Sequence, residues 1–321
     1  MIDKAFVMVV ALVLGVFSAP RAIEAQGAAK VRKVGELHPG TGSAERLAAL
    51  REAGYVEGQN LVVIRRHAEG RMERLPALAA ELVDLKPDVI LATGGTAIRA
   101  AVNATKVIPI VMAFGEDPVG KGLVASLARP GGNITGVTLV AAGTMAAKRI
   151  EVFKEAMPRA HRIALLSWPR MESAQVKEAE QAARGLKIET VLVEVRNGDY
   201  EGAFAALAAE RADALFVLSS PLLNRDRKRI IALAARHRLP AFYEWRESAE
   251  EGGLLAYGAN SRDLNRRVVA LVDKILKGAK AGDLPVEQPM SFELVINMNT
   301  AKTLGLAIPP SLLARADYLV E

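Results

Sequence analysis

The sequence predicts an α/β fold of two doubly wound parallel-sheet lobes joined by a hinge, and three observations carry that expectation. Short apolar runs alternate with helical patterns from Val31 onward, as strands covered on both faces require. The 321 residues suit two domains of about 150 residues better than a single core. The order of elements in the first half also recurs in the second.

The strands expected in chain order are Val34–Leu37, Leu61–Arg66, Val89–Thr93, Ile110–Phe114 and Ile134–Leu139 in the first half. Ile163–Ser167, Ile188–Val193, Ala214–Ser219, Ala241–Tyr243 and Leu254–Tyr257 follow in the second. Helical spacing marks Leu75–Leu85, Thr96–Ala104, Ala146–Ala156, Ser173–Arg184, Tyr200–Glu210 and Arg225–Arg236. The repeat is clearest where Pro87-Asp88 leads through an apolar strand to Thr93-Gly94-Gly95, and Ile108-Pro109 opens the next strand. Ala212-Asp213 then leads to Ser219-Ser220, and Leu239-Pro240 opens its successor. The expected lobes are 31–138 with 258–285, and 139–257 with 286–321. Hinge crossings are expected near Val137–Ala142, Tyr257–Ser261 and Leu284–Ser291.

Ahead of the fold, Ala5–Phe17 is apolar throughout. That is short for a membrane span of about 20 residues but suits a signal-peptide core. Lys4 precedes it, Ser18-Ala19-Pro20 breaks it, and small residues allow cleavage after Ala25 or Gly27. Residues 1–25 are therefore expected to be a signal peptide, and the mature protein to be periplasmic. An uncleaved anchor is the alternative.

Composition excludes several functions. The absence of cysteine rules out disulfides, thiolate metal sites and a cysteine nucleophile. The four histidines, His38, His67, His161 and His237, are too scattered for a site of paired imidazole ligands, and loop or surface positions are expected for them. A net charge of +6 from 42 basic and 36 acidic residues is too mild at this length to indicate nucleic acid. Nucleophile elbows, zinc-helix motifs, phosphate loops and dinucleotide fingerprints are all missing. No enzyme, cofactor or metal is expected, and the carboxylates of Glu178–Glu180 and Glu247–Glu251 read as solvated helix faces.

Ligands of open parallel sheets lie beyond the carboxyl ends of the strands, which selects the loops there. Gly40 and Thr41 follow the first strand. Thr93, Gly95 and Thr96 form a strand-to-helix turn whose N–H groups suit an anion, or an ordinary tight turn with an N-cap. After Gly115, the carboxylates of Glu116 and Asp117 would hold an ammonium group or cap a turn. Trp168, Tyr243 and Trp245 offer rings for stacking, or fill core. Ser219 and Ser220 would face the Thr93 turn from the other lobe, with Glu244 as a further acceptor. The ligand these groups suit is a small organic acid, foremost an amino acid with an aromatic or apolar side chain.

Longer motifs carry a resemblance. Leu50-Arg-Glu-Ala-Gly-Tyr-Val-Glu-Gly-Gln-Asn60, Arg74–Leu82, Asp117-Pro118-Val119-Gly120, Gly122–Asn133, Gly252–Gly258, Val272–Ala279, and the tail from Phe292 through Ile308-Pro309-Pro310-Ser311 to Asp317 resemble a bacterial ABC-transporter substrate-binding family. That family has the type I periplasmic binding fold and includes tryptophan/tyrosine-type members. One departure is a shortened loop between Gly40 and Leu50, which bears on the ligand. The resemblance implies a protein that captures a small solute and presents it to an inner-membrane permease; a monomer without a nucleic-acid partner is expected. A periplasmic sensor that partners a membrane receptor is the alternative.

Overall fold

A computed structural model of the chain describes residues 31–115, 117–139, 145–169 and 173–321. The signal-peptide expectation, Glu116 and residues 140–142 of the first hinge crossing lie outside them. Two sheets organise the described chain. β1 (Arg32–His38), β2 (Leu61–His67), β3 (Val89–Thr93), β4 (Ile110–Gly115) and β5 (Ile134–Thr138) form a parallel sheet in the order β2-β1-β3-β4-β5. The second sheet is built from β6 (Arg162–Ser167), β7 (Glu189–Glu194), β8 (Ala214–Val217), β9 (Ala241–Tyr243), β10 (Leu255–Ala259), β11 (Phe292–Asn297) and β12 (Tyr318–Val320). Its order is β12-β11-β10-β9-β8-β6-β7.

The apolar runs behave as their pattern requires. Every residue of β3 and β8 is buried, because helices cover both faces of each sheet. On the first sheet, α1 (Ala44–Glu52) packs on one face, while α2 (Leu75–Asp84) and α3 (Gly94–Ala104) pack on the other. The second sheet carries α4 (Met145–Ala156), α5 (Ser173–Gly185), α6 (Tyr200–Ala209), α7 (Pro221–Arg225), α8 (Arg227–Arg236) and α9 (Arg246–Glu250). Thus the strand-helix alternation does produce two parallel-sheet lobes.

The expected strands end at Tyr257, so β11 and β12 are additional, and three further features depart from the sequence expectation. The β11 strand runs antiparallel to β10, so the second sheet is mixed at that edge. The helix expected over Arg225–Arg236 starts two residues later, at Arg227, as α8, and the separate short α7 ends just ahead of it at Arg225. Ser220-Pro221 starts a short helix of its own, and the Asp226 carboxylate accepts from the Tyr200 hydroxyl at 2.8 Å. An unanticipated long helix, α10 (Ser261–Leu276), returns from the second sheet to cover the first. Its buried Leu264, Val268, Val269, Leu271, Val272 and Ile275 follow helical spacing. Asn260 caps it by accepting from the Asp263 N–H at 3.0 Å, a contact worth about 1 kcal/mol.

The chain therefore passes between the sheets after β5, between β10 and α10, and again before β11. On the last passage Thr138 N–H donates to the Glu287 carbonyl and Glu287 N–H to the Gly136 carbonyl, each at 2.9 Å.

Candidate functional site

The carboxyl ends of both sheets open on one cavity of about 410 Å³ between the lobes. The first lobe contributes His38, Thr93 and Phe114 at the ends of β1, β3 and β4, and the starts of α1 and α3. Trp168 follows β6, Ser219 and Ser220 follow β8, and Trp245 follows β9. Ser261 and Asn265 of α10 form part of the wall where the chain crosses.

Of the positions selected from sequence, Thr41, Thr93, Gly95, Thr96, Trp168, Ser219, Ser220 and Trp245 reach this cavity. Several hold different tasks from those expected. The helix at the first turn starts at Gly94, so Thr93 occupies the N-cap position, and its side chain makes no cap bond. Its hydroxyl is buried without a hydrogen-bond partner. Thr96 is exposed, and its hydroxyl touches the Met72 sulfur at 3.7 Å. Ser220 is the N-cap of α7 and accepts from the Leu222 and Leu223 N–H groups. The Ser219 backbone is held by Gln175, whose Oε1 accepts from its N–H at 3.0 Å.

The remaining described positions stand outside the wall. Gly40 N–H donates to His38 Nδ1 at 2.9 Å, and the Gly115 carbonyl accepts from the Thr138 hydroxyl at 2.7 Å. Asp117 closes its own turn by accepting from Gly120 N–H at 2.9 Å, the capping role named as its alternative. Tyr243 is buried under the second lobe's helices, and with Glu244 it borders a small adjoining cleft that shares Ser219, Ser220 and Trp245 with the cavity wall.

Sequence reasoning missed the charged part of the wall. Glu45, Arg46, Arg225, Arg227 and Glu247 all line the cavity, so Glu247 corrects the reading of its run as a solvated face. His38 corrects the surface expectation for the histidines, being 6 % exposed. Burial, then the positive charge of Arg46, pull its imidazole down to about 3, which keeps it neutral at ordinary pH. Local structure explains how the charges arrive here. Ser43 caps α1, accepting from Arg46 N–H at 3.3 Å, and the loop ahead lies flat on Glu36, which a Cβ on Gly42 would meet at 2.5 Å. Arg46 thereby enters the interior.

Arg46 is 1 % exposed. Its Nη2 lies 3.8 Å from Glu36 Oε1, while its Nε and Nη1 have no hydrogen-bond partner. Burial would raise the Glu36 carboxyl, but the His67 contact at 3.2 Å and the Arg46 charge hold it below its ordinary value. Across the cavity Arg225 is engaged by Asp226, and Arg227 by Glu251 at 2.7 Å. No group of three side chains suited to a metal ion occurs among the described residues.

The sequence profile described as ABC transporter substrate binding protein matches residues 44–320. The chain belongs to that family. A tyrosine-binding protein of Clostridioides difficile (strain R20291) is 28 % identical over 273 residues, 84 % of this chain and 78 % of the relative. A Streptococcus pneumonia ABC domain solved in complex with L-Trp is 25 % identical, with a TM-score of 0.78 over 90 % of this chain and 99 % of the other. The ligand-free, open structure of a Clostridium difficile substrate-binding protein with adhesive properties has the same identity and coverages, 25 %, 90 % and 99 %, with a TM-score of 0.58. The ABC substrate-binding family thus supplies the fold expected from the sequence motifs, and among the described residues no helix is long and apolar enough to cross a membrane.

Proposed function

We propose that this substrate-binding protein captures a small organic acid, foremost an aromatic or apolar amino acid, and delivers it to an ABC permease without transforming it. The observation that carries this reading is the set of buried, unpartnered polar atoms in one cavity wall: Thr93 Oγ1, Arg46 Nε and Nη1, and Arg227 Nε. Buried polar atoms normally find partners, and a solute between the lobes would supply them. Its carboxylate is assigned to Arg46, Thr93 and the start of α3, and its side chain to Trp168, Trp245 and Phe114. The tyrosine- and tryptophan-binding relatives support that class of solute. At equal identity, the higher score against the tryptophan complex than against the open form supports a closed arrangement of these lobes, with the three crossings as hinge.

Mass spectrometry of small molecules released from the purified protein, followed by calorimetry, tests this. An amino acid or related organic acid is expected. Thr93→Val should weaken it about tenfold to 150-fold, the worth of a hydrogen bond to a charged group, and Asp117→Ala should leave it unchanged. Release of no organic acid, with no acid binding in titration, would refute the reading.

We further propose export to the periplasm, supported by the family and the N-terminal apolar run. N-terminal sequencing of the exported protein should begin near Gln26 or Ala28. An intact Met1 in the membrane fraction would contradict it.

A further inference from the structure

The cavity has a second charged pole, opposite in sign to Arg46. Glu45 in the first turn of α1 and Glu247 in the first turn of α9 both line it. Asn265 of α10 joins them: its Nδ2 donates to Glu45 Oε2 at 2.8 Å, and Ser261 Oγ donates to Glu247 Oε1 at 2.6 Å. Each carboxylate thus accepts from a neutral donor, and among the described residues neither makes an ion pair. The two also repel one another. Burial, and after it the charge of Glu247, push the Glu45 carboxyl above its ordinary value, while Arg262 on the exposed face of α10 offsets this only in part.

A carboxylate in a first helical turn is favoured by the helix dipole, and that alone would explain one glutamate. It does not explain why two helices from different lobes bring theirs to the same wall. Nor does it explain Asn265, which is 3 % exposed and whose Oδ1 is buried with no partner. That oxygen is an acceptor, like the carboxylates beside it. Three acceptors, two of them negative, match the three donors of a primary ammonium group.

We propose that Glu45, Glu247 and Asn265 form the subsite for a primary ammonium group of the solute. This deepens the reading above, on which it rests for the presence of a solute in the cavity. It excludes the solutes that Arg46 alone would admit, since an acid without an amine leaves the carboxylate pair unneutralised. Because Glu45 comes from the first lobe and Glu247 from the second, an ammonium between them also ties the lobes together.

Calorimetry with L-tyrosine, tyramine and 3-(4-hydroxyphenyl)propanoate, and with the corresponding tryptophan set, tests the subsite. Amine-bearing members should bind, and the amino acid should exceed its deamino analogue by roughly tenfold or more. Glu45→Gln and Glu247→Gln should each narrow that preference while leaving the deamino analogue as tight or tighter. The ligand-free melting temperature of Glu45→Gln should not fall, since the variant relieves repulsion; a structural role would lower it. Equal binding of acid and amino acid by the wild type, an undiminished preference in both variants, or no binding of any amine would overturn the proposal. Binding of tyramine or tryptamine without the amino acids would instead leave the subsite standing and refute the amino-acid reading of the whole cavity.

Discussion

Replacing Glu36 by glutamine and Arg46 by methionine together is expected to weaken solute binding about 100-fold or more and to leave the ligand-free protein at least as stable. Both charges are buried, Glu36 at 4 % and Arg46 at 1 % exposure, and their closest approach is a loose 3.8 Å. Removing two ions from water costs several kcal/mol each, and attraction offsets this only when geometry and hydrogen bonding are good. Here two guanidinium nitrogens have no hydrogen-bond partner. Exchanging such a pair for neutral residues of similar volume is commonly neutral or stabilising. Methionine also keeps the contact with Phe114, whose ring centroid lies 5.9 Å from the guanidinium carbon.

Affinity should move the other way. A desolvated charge that meets a carboxylate is worth more than a neutral hydrogen bond, and truncating one partner of a buried charged contact costs about 2–5 kcal/mol of binding. Glu36 does not line the cavity, so its neutralisation removes no contact with the solute. Thermal melting without ligand and calorimetry with it separate the two effects. Arg46 would be a structural residue if the double variant melts many degrees lower, and a bystander if it binds as the wild type does.

The contrast between what sequence revealed and what it concealed follows from distance along the chain. Continuous apolar runs locate β3 and β9 to the residue, because burial on both faces leaves a local signature. The Thr93 turn and the two tryptophans were also legible, since they directly follow such strands. The charged wall was not. Glu45 and Asn265 are 220 positions apart and meet only because α10 crosses back to pack beside α1. In sequence, the Glu45-Arg46 pair is indistinguishable from a solvated first helical turn. Only the cap at Ser43 and the close approach of the loop to Glu36 turn that face inward. The antiparallel β11 was hidden for a similar reason, as its partner β10 precedes it by a helix and a crossing.

Substituting valine for Gly94 should weaken solute binding by about tenfold to 100-fold and prevent compaction on ligand addition. Gly94 opens α3 with a φ of 76°, in the left-handed region where a β-branched residue is a genuine outlier. A Cβ there would lie 3.1 Å from Cγ of Pro221 in the other lobe. The backbone cost, about 1–2 kcal/mol, is internal to the first lobe and falls on open and closed forms alike. It lowers the melting temperature of the ligand-free protein without changing closure. On the proposed hinge closure, the contact with Pro221 exists only when the lobes meet, so the bulk of valine acts on the closed form alone. Apparent affinity falls in proportion to the population able to close. X-ray scattering should show the wild type contracting with saturating solute while Gly94→Val stays extended. Adding Pro221→Gly makes room in the opposite lobe and should restore contraction and affinity, though not the melting temperature. A Gly94→Val protein that contracts and binds like the wild type would show that the lobes do not close through this contact.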